Sequence, residues 1–129
     1  MIRELAILML GAALLASCGN KYSRIDEYCG TYEGTLPAAD GPGIQTTIKL
    51  GRDHHFVTRL VYIDKKDGVF NEKGTYSLKD NILTLKQDDD ELTYFQIEPG
   101  QLRRLDMEQQ PITGSLADYY ILKKVAGCR

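Results

Sequence analysis

Three cysteines, at positions 18, 29 and 128, carry the most reactive side chains of this chain. A thiol can accept a lipid, pair with a second thiol in a disulfide or bind a soft metal ion. An odd number leaves at least one cysteine outside any pair within the chain, so each one needs its own interpretation. Their surroundings differ, because Cys18 ends an apolar N-terminal run whereas Cys29 and Cys128 flank the rest of the sequence.

The residues before Cys18 have the proportions of a signal peptide. The 11 apolar residues of 5–15 would span about 16 Å as a helix, which is too short for a bilayer core of about 30 Å. The string Leu15-Ala16-Ser17-Cys18 resembles the lipobox of bacterial lipoproteins. This resemblance implies that the Cys18 thiol receives a diacylglyceryl group, that cleavage precedes it and that acyl chains anchor the protein to a membrane. We expect a lipoprotein signal peptide over 1–17 and a tether over 18–28; an ordinary signal peptide is the alternative.

The composition of the chain limits its class. With 129 residues, the chain is long enough for one ordinary domain, which we place at 29–129. Apolar residues make up 43% and charged residues 26%, as in globular proteins. Its 16 basic and 18 acidic residues give a net charge of -2, which offers no counterion-release basis for binding nucleic acid.

The sequence after Tyr28 alternates between apolar and polar residues in short segments, which is typical of β-strands. Mostly short connections favour antiparallel neighbours, and closing the sheet removes its exposed edges. We therefore predict an all-β fold, a small antiparallel up-and-down β-barrel, with a β-sandwich as the alternative. The predicted strands cover residues 31–36, 44–50, 55–63, 69–78, 82–86, 92–98, 102–107 and 119–125.

The segment 37–43 is rich in proline and glycine, so we predict a loop that continues neither strand nor helix. Loops held at the mouth of a barrel often carry function. The residues proposed to contact a partner there are Pro37, Ala39, Asp40 and Gly43.

Cys29 and Cys128 stand just outside the first and last predicted strands. In a barrel with an even number of strands, these two strands pair antiparallel, so the start of one lies beside the end of the other. We predict a Cys29–Cys128 disulfide in an exported protein. It would close a loop of about 100 residues and contribute on the order of 4–5 kcal/mol. Two free thiols or a soft-metal pair are the alternatives.

Other candidate sites are weaker. The neighbours His54 and His55 point to opposite faces of a strand, and the acidic run 88–91 lacks the spacing of a calcium loop. No nucleophile elbow, phosphate loop or zinc-protease motif is present in the sequence, so we expect no enzyme activity, no cofactor and no metal site. Six tyrosines either line a small apolar cavity or pack in the core and at the rim, namely Tyr32, Tyr62, Tyr76, Tyr94, Tyr119 and Tyr120.

The string Tyr32-Glu33-Gly34-Thr35-Leu36-Pro37-Ala38-Ala39-Asp40-Gly41-Pro42-Gly43-Ile44 resembles the N-terminal domain of the NlpE copper-resistance lipoproteins. Gly74-Thr75-Tyr76 and Leu83-Thr84-Leu85 fit the same family in the same order. The resemblance implies a lipocalin-like barrel, lipid-anchored at the outer membrane and facing the periplasm. It also implies a role in envelope sensing or metal stress rather than catalysis.

The chain departs from this family at two positions. Members that handle copper carry a Cys-x-x-Cys in the loop, where this chain has Ala38 and Gly41. Because Cu(I) prefers thiolate or thioether ligands, we expect no copper site in this loop. The favoured hypothesis is a binding or envelope-stress-sensing module that meets an envelope partner or a small apolar ligand. Copper homeostasis through a bound metal is the alternative, and a purely structural envelope protein is the third.

Overall fold

The computed structural model describes residues 24–128; the predicted signal peptide, Cys18 and residues 18–23 of the predicted tether lie outside this range. Eight antiparallel strands form a closed barrel in which each strand pairs with its neighbours in the sequence and β8 pairs with β1. The predicted all-β up-and-down barrel is thereby confirmed over the sandwich. The strands are β1 (Gly30–Ala38), β2 (Gly41–Leu50), β3 (His55–Tyr62), β4 (Val69–Lys79), β5 (Ile82–Gln87), β6 (Leu92–Glu98), β7 (Gln101–Arg104) and β8 (Ile121–Gly127).

Alternation of side chains along the strands places one face of each strand in a shared core. In β2, Ile48 and Leu50 are buried while Lys49 between them is exposed, and Leu83 and Leu85 are buried in the same way in β5. Successive side chains of a strand point to opposite faces, so this pattern fills the barrel interior and leaves polar residues outside. No helix within residues 24–128 is long and apolar enough to cross a membrane.

Asp80 and Asn81 form the turn between the predicted strands 69–78 and 82–86, and its backbone explains the residue types. Both residues have positive φ, 53° and 67°. Two-residue hairpin turns of this kind match the twist of the strands, and Asp and Asn tolerate the left-handed region better than most residues. The pair therefore fixes the register between β4 and β5.

The predicted loop 37–43 is wrong in extent, because only Ala39 and Asp40 form the turn and β1 and β2 take up the other residues. Pro37 is tolerated in β1 for a local reason. The register with β2 shifts beside it, and pairing of β1 with β8 stops at Glu33. The missing N–H of proline thus interrupts no ladder hydrogen bond at this point.

The connection between β7 and β8 is also different from the prediction. Residues 105–120 form turns and a short 3₁₀ helix, Ala117–Tyr119, so the predicted strands 102–107 and 119–125 were wrong where they approach each other. A carboxylate oxygen of Asp106 accepts hydrogen bonds from two later backbone N–H groups, both at 2.9 Å. Such side-chain turns compete with strand pairing, and this one directly follows β7.

A short helix, α1 (Ile25–Tyr28), covers the barrel end at which β1 begins. Tyr28 is buried and its ring meets that of Tyr76 edge to face, with centroids 6.2 Å apart. The Tyr32 hydroxyl donates a 2.6 Å hydrogen bond to the Tyr28 carbonyl oxygen. Ile25 and Tyr28, which belong to the predicted tether 18–28, therefore pack against the barrel core. We call the barrel end that α1 covers the closed end.

The two ends of the barrel domain are joined covalently at the closed end. Cys29 and Cys128 form a disulfide with a Cα–Cα distance of 5.5 Å and a sequence separation of 99 residues. The structure thus places side by side the two cysteines that we predicted to be neighbours from an even number of strands.

Candidate binding cavity at the open end of the barrel

The barrel end opposite α1, which we call the mouth, consists of the β1–β2, β3–β4 and β5–β6 turns and the segment 105–120. A cavity of about 280 Å³ lies inside this half of the barrel, close to the lower end of the range for small-molecule sites. Its deeper wall is apolar and includes Ile48, Phe56, Leu85 and Phe95. The cavity therefore combines a rigid apolar interior with access through turns.

Threonines occupy several inward positions among the apolar residues of the cavity wall. Thr46 and Thr58 are buried although they are polar, with 3% and 6% of their surface exposed. The Thr46 hydroxyl donates a 3.1 Å hydrogen bond to the Ile44 carbonyl oxygen. Because buried polar groups need partners, these hydroxyls add hydrogen-bonding groups beside the apolar part of the cavity wall.

Glu72, on β4, brings a carboxylate into the cavity lining. Its Oε1 atom accepts a 3.1 Å hydrogen bond from Nε2 of Gln87 on β5. Burial raises the pKa of Glu72, the carboxylates of Glu91 and Asp89 raise it further, and the Arg104 guanidinium acts in the opposite direction. The cavity environment therefore disfavours the charged form of this side chain.

Arg104, the last residue of β7, brings a guanidinium into the same cavity. It pairs with Phe95 across the β6–β7 ladder, and its Cζ atom lies 5.8 Å from the centre of the Phe95 ring. Burial lowers the pKa of Arg104, and the Tyr120 hydroxyl and the Glu72 carboxylate act against that shift. The cavity lining thus holds one guanidinium, that of Arg104, and two carboxylates, those of Glu72 and Glu91.

Glu72 and Arg104 were not predicted as site residues, although strand alternation contains a signal for both. Arg104 follows the buried Leu102 by two residues, and Glu72 precedes the buried Tyr76 by four. Residues at these spacings share the inner face of a strand. A charged residue at an inward position of a barrel is a candidate for function.

The four residues proposed to contact a partner fall into two groups. Pro37 lines the cavity, and Gly43 is buried with φ of 151°, where an added Cβ would lie 2.6 Å from the Thr35 Cγ2 atom. Glycine is thus required at position 43 by the backbone. Ala39 and Asp40 are exposed at the tip of the hairpin. These two residues are the ones a partner can reach.

The histidine pair lies at the closed end, away from the cavity. The His54 ring lies against the Tyr76 ring with centroids 5.4 Å apart, and His55 Nδ1 is 3.4 Å from an Asp53 carboxylate oxygen. Over residues 24–128, three metal-ligating groups within 4.8 Å of one another occur at Asp26, Cys29 and Cys128. Both sulfurs of that set belong to the disulfide, which removes them as thiolate ligands.

The acidic run 88–91 forms the β5–β6 turn at the mouth. The Asp89 side chain accepts a 3.0 Å hydrogen bond from the Glu91 backbone N–H, and Lys86 lies 3.6 Å from an Asp90 carboxylate oxygen. These contacts shape a turn. Glu91 also reaches the cavity lining.

The six tyrosines divide between the two roles considered for them. Tyr62 and Tyr120 line the cavity, Tyr32 and Tyr76 are buried near the closed end, Tyr94 is half-buried, and Tyr119 is 61% exposed at the mouth. Cavity lining therefore accounts for two of the six, and packing or exposure for the rest.

Comparisons with known proteins agree with this architecture. The family model of the NlpE N-terminal domain matches residues 32–115. A Shewanella oneidensis protein described as a lipoprotein is 36% identical, with a TM-score of 0.68 over 76% of this chain and 89% of that chain. The Cpx pathway activator NlpE from Escherichia coli is 28% identical, with a TM-score of 0.61 over 67% of this chain and 46% of that chain. This chain thus spans about half of the E. coli protein. No curated protein matches the chain.

Proposed function

The chain belongs to the NlpE N-terminal domain family, and from this premise we propose that it is a lipid-anchored envelope lipoprotein whose barrel is a binding and stress-sensing module. One observation carries the proposal: the barrel is covered at one end by α1 and opens at the other into a cavity of about 280 Å³. A closed barrel with one accessible interior is suited to holding a ligand or presenting its rim to a partner.

The predicted lipid on Cys18 would orient this module. From Cys18 to Arg24 the chain advances six residues, and a fully extended chain of that length reaches about 20 Å at most. Arg24 directly precedes α1 at the closed end. An anchor at Cys18 therefore keeps the closed end near the membrane and the mouth directed away from it. We propose that the membrane is the outer membrane and that the mouth faces the periplasm.

The mouth also provides the contact surface for a partner. Exposed apolar side chains occur in the segment 105–120, with Met107 67%, Leu116 49% and Tyr119 61% exposed, and at the adjoining end of β4, where Phe70 is 51% exposed. Exposed apolar residues mark interaction sites when they lie close together. The polar tip of the β1–β2 hairpin adds Asp40, whose Oδ2 lies 3.4 Å from Nζ of Lys65 in the β3–β4 turn.

The proposed activity is binding rather than catalysis. Among the described residues, the cavity lining contains no Cys, His, Ser or Lys side chain, and its groups able to transfer a proton are the carboxyl groups of Glu72 and Glu91 and the hydroxyls of Tyr62 and Tyr120. The E. coli relative is an activator of the Cpx pathway. We propose the same role for this chain, namely that it signals a change at the envelope through contacts made by the mouth of its barrel.

A reporter assay tests the proposal. The lipid-anchored protein would be overproduced in a bacterium carrying a reporter gene of the Cpx pathway, and we expect the reporter to rise above a vector control. Cys18→Ser, which removes the anchor, and Asp40→Lys, which reverses a charge at the mouth, should each lower the signal. Glu33→Lys, a charge reversal on the outer face of β1, is the matched control and should leave it unchanged. A signal equal to that of the vector would refute the proposed role.

A further inference from the structure

Arg104 differs from its neighbour Arg103 in forming no ion pair with a carboxylate of residues 24–128. Nε of Arg103 lies 2.8 Å from an Oε2 oxygen of Glu98. For Arg104, no carboxylate within residues 24–128 lies within 4.0 Å and no protein acceptor takes a hydrogen bond from the guanidinium. The five N–H donors of this side chain therefore remain available to a ligand.

The surroundings of the Arg104 guanidinium favour the binding of an anion. The guanidinium lies over the Phe95 ring in the cavity, where burial disfavours its charge. A partly buried cation is stabilised by an anion that forms two parallel hydrogen bonds with it, and carboxylate and phosphate groups have the matching geometry.

Glu72 is the facing carboxylate, but it does not act as this anion. It lies beyond ion-pairing distance from Arg104 and is hydrogen-bonded to Gln87 instead. Glu91 and Asp89, at the β5–β6 turn, add negative charge near it. An anion at Arg104 is therefore attracted by the guanidinium and repelled by Glu72, so Glu72 should weaken binding while it is ionised.

The remainder of the cavity suits a short apolar group. The rings of Phe56 and Phe95 and the side chains of Ile48 and Leu85 form its deeper wall. Its volume is about 280 Å³, and at roughly 30 Å³ for each water-sized unit this corresponds to about ten non-hydrogen atoms. A ligand of that size reaches from Arg104 into the apolar interior without leaving the barrel.

We propose that the cavity binds a small amphipathic anion, whose carboxylate or phosphate group is held by Arg104 and whose short apolar chain packs against Phe56 and Phe95. This inference rests on the proposed function, for which it names the ligand class. It explains why the chain places an arginine without a carboxylate partner above an apolar interior.

Titration calorimetry on the purified, oxidised full chain carrying Cys18→Ser tests the inference. The probes are octanoate, butyl phosphate, 1-octanol, octylamine and inorganic phosphate, of which the organic ones have nine or ten non-hydrogen atoms, about as many as the cavity holds. We expect octanoate to bind at least about tenfold more tightly than 1-octanol, because only the anion forms charge-assisted hydrogen bonds. Binding of inorganic phosphate alone with equal affinity would overturn the role of the apolar wall, and tighter binding of octylamine would overturn the role of Arg104.

Two substitutions separate binding from folding. Arg104→Gln should weaken binding of the anionic probe about tenfold or more, whereas Arg59→Gln, on the exposed outer face of β3, should leave it unchanged. Urea unfolding of both variants verifies that the barrel is intact. Glu72→Gln should tighten binding of the anion at neutral pH, because it removes the facing negative charge. Unchanged affinity in folded Arg104→Gln would overturn the inference. This result leaves the reporter assay of the proposed function unaffected, so the two can fail separately.

Discussion

Ala38 and Gly41 lie directly opposite each other as the last ladder pair of the β1–β2 hairpin. By the resemblance of the sequence to the family, these positions match the Cys-x-x-Cys of its copper-handling members. The hairpin therefore brings the two positions together even though Ala39 and Asp40 separate them in sequence. In this chain the facing groups are a methyl group and a hydrogen atom, neither of which can bind a metal.

Restoring the two thiols should create a copper site. We expect Ala38→Cys/Gly41→Cys to bind Cu(I) and the unsubstituted chain not to bind it at this hairpin, because thiolates are the ligands that Cu(I) prefers. A Cβ at position 41 meets nothing closer than Lys65 Cε at 3.7 Å, so the hairpin should tolerate the change. Competition with a chromophoric Cu(I) chelator measures the affinity, and Ala38→Ser/Gly41→Ser is the control. Sub-micromolar binding of Cu(I) by the unsubstituted protein would contradict this expectation.

The disulfide at the closed end should contribute strongly to stability. Cys29→Ser/Cys128→Ser, made in the Cys18→Ser chain, opens a covalent loop spanning 99 residues. The free energy of unfolding should fall by about 4–5 kcal/mol on the chain-entropy model, a large part of the roughly 5–15 kcal/mol of a typical domain. Urea unfolding monitored by circular dichroism measures the change. Cys18→Ser alone is the reference, and equal stability of the two proteins would show that the bond does not constrain the barrel.

Helix α1 should behave as part of the barrel rather than as a tether. Tyr28→Ala removes a ring that is 5% exposed and in contact with Tyr76, so we expect a loss of about 3–5 kcal/mol in the free energy of unfolding. Tyr119→Ala is the matched control, since its ring is 61% exposed and its loss should change stability by about 0.5 kcal/mol or less. Similar effects from the two substitutions would place Tyr28 outside the cooperative unit.

Glu72 should make the folded state less stable as pH rises. Its folded pKa is raised above the ordinary value of 4.5, chiefly by burial, so the folded state binds the proton more tightly than the unfolded state. Its stabilising contribution is fully present below pH 4.5 and is lost as pH rises through the folded pKa. Glu72→Gln should therefore raise stability at neutral pH and remove this part of the pH dependence. Urea unfolding over a pH series is the measurement, and a steeper dependence in the variant would contradict the assignment.

Glu98 should show the opposite dependence. Burial alone would raise its pKa, but hydrogen bonds from Arg103 and Gln101, together with the Arg103 charge, lower it overall. The Arg103 Nε–Glu98 Oε2 distance is 2.8 Å and the Gln101 Nε2–Glu98 Oε1 distance is 2.6 Å. Its contribution is therefore present above pH 4.5 and lost as pH falls through the folded pKa. Glu98→Gln should reduce stability at neutral pH, and in the same titration its deficit should shrink toward acid pH.

The number and order of the strands can be predicted from the sequence because apolar and polar residues alternate within each strand, whatever its neighbours are. Ile48 and Leu50 in β2 and Leu83 and Leu85 in β5 alternate with polar residues in their own segments, so a local pattern suffices to find these strands. Helix α1 has four residues, too few for a helical period to appear. Pro37 misled the prediction because its place in β1 depends on where pairing with β8 stops, which is a property of the assembled barrel.

The candidate site was harder to predict than the fold for the same reason. Glu72, Gln87 and Arg104 come from three strands, and each is an ordinary polar residue in its own segment. Their meeting depends on barrel closure and on the tilt of the strands. By contrast, predicting the Cys29–Cys128 disulfide required only that the number of strands be even. This explains why the two cysteines could be placed together from the sequence.

The bond between Cys29 and Cys128 makes both ends of the barrel domain leave from one pole. The opposite pole is the mouth, which consists of the turns between strands and the segment 105–120. Replacing or lengthening these connections changes neither the pairing of β1 with β8 nor the order of the strands. Loops on a fixed scaffold tolerate sequence change more readily than the elements they connect. The turns at this pole can thus change in sequence or length without altering either the attachment of the domain or the frame of the barrel.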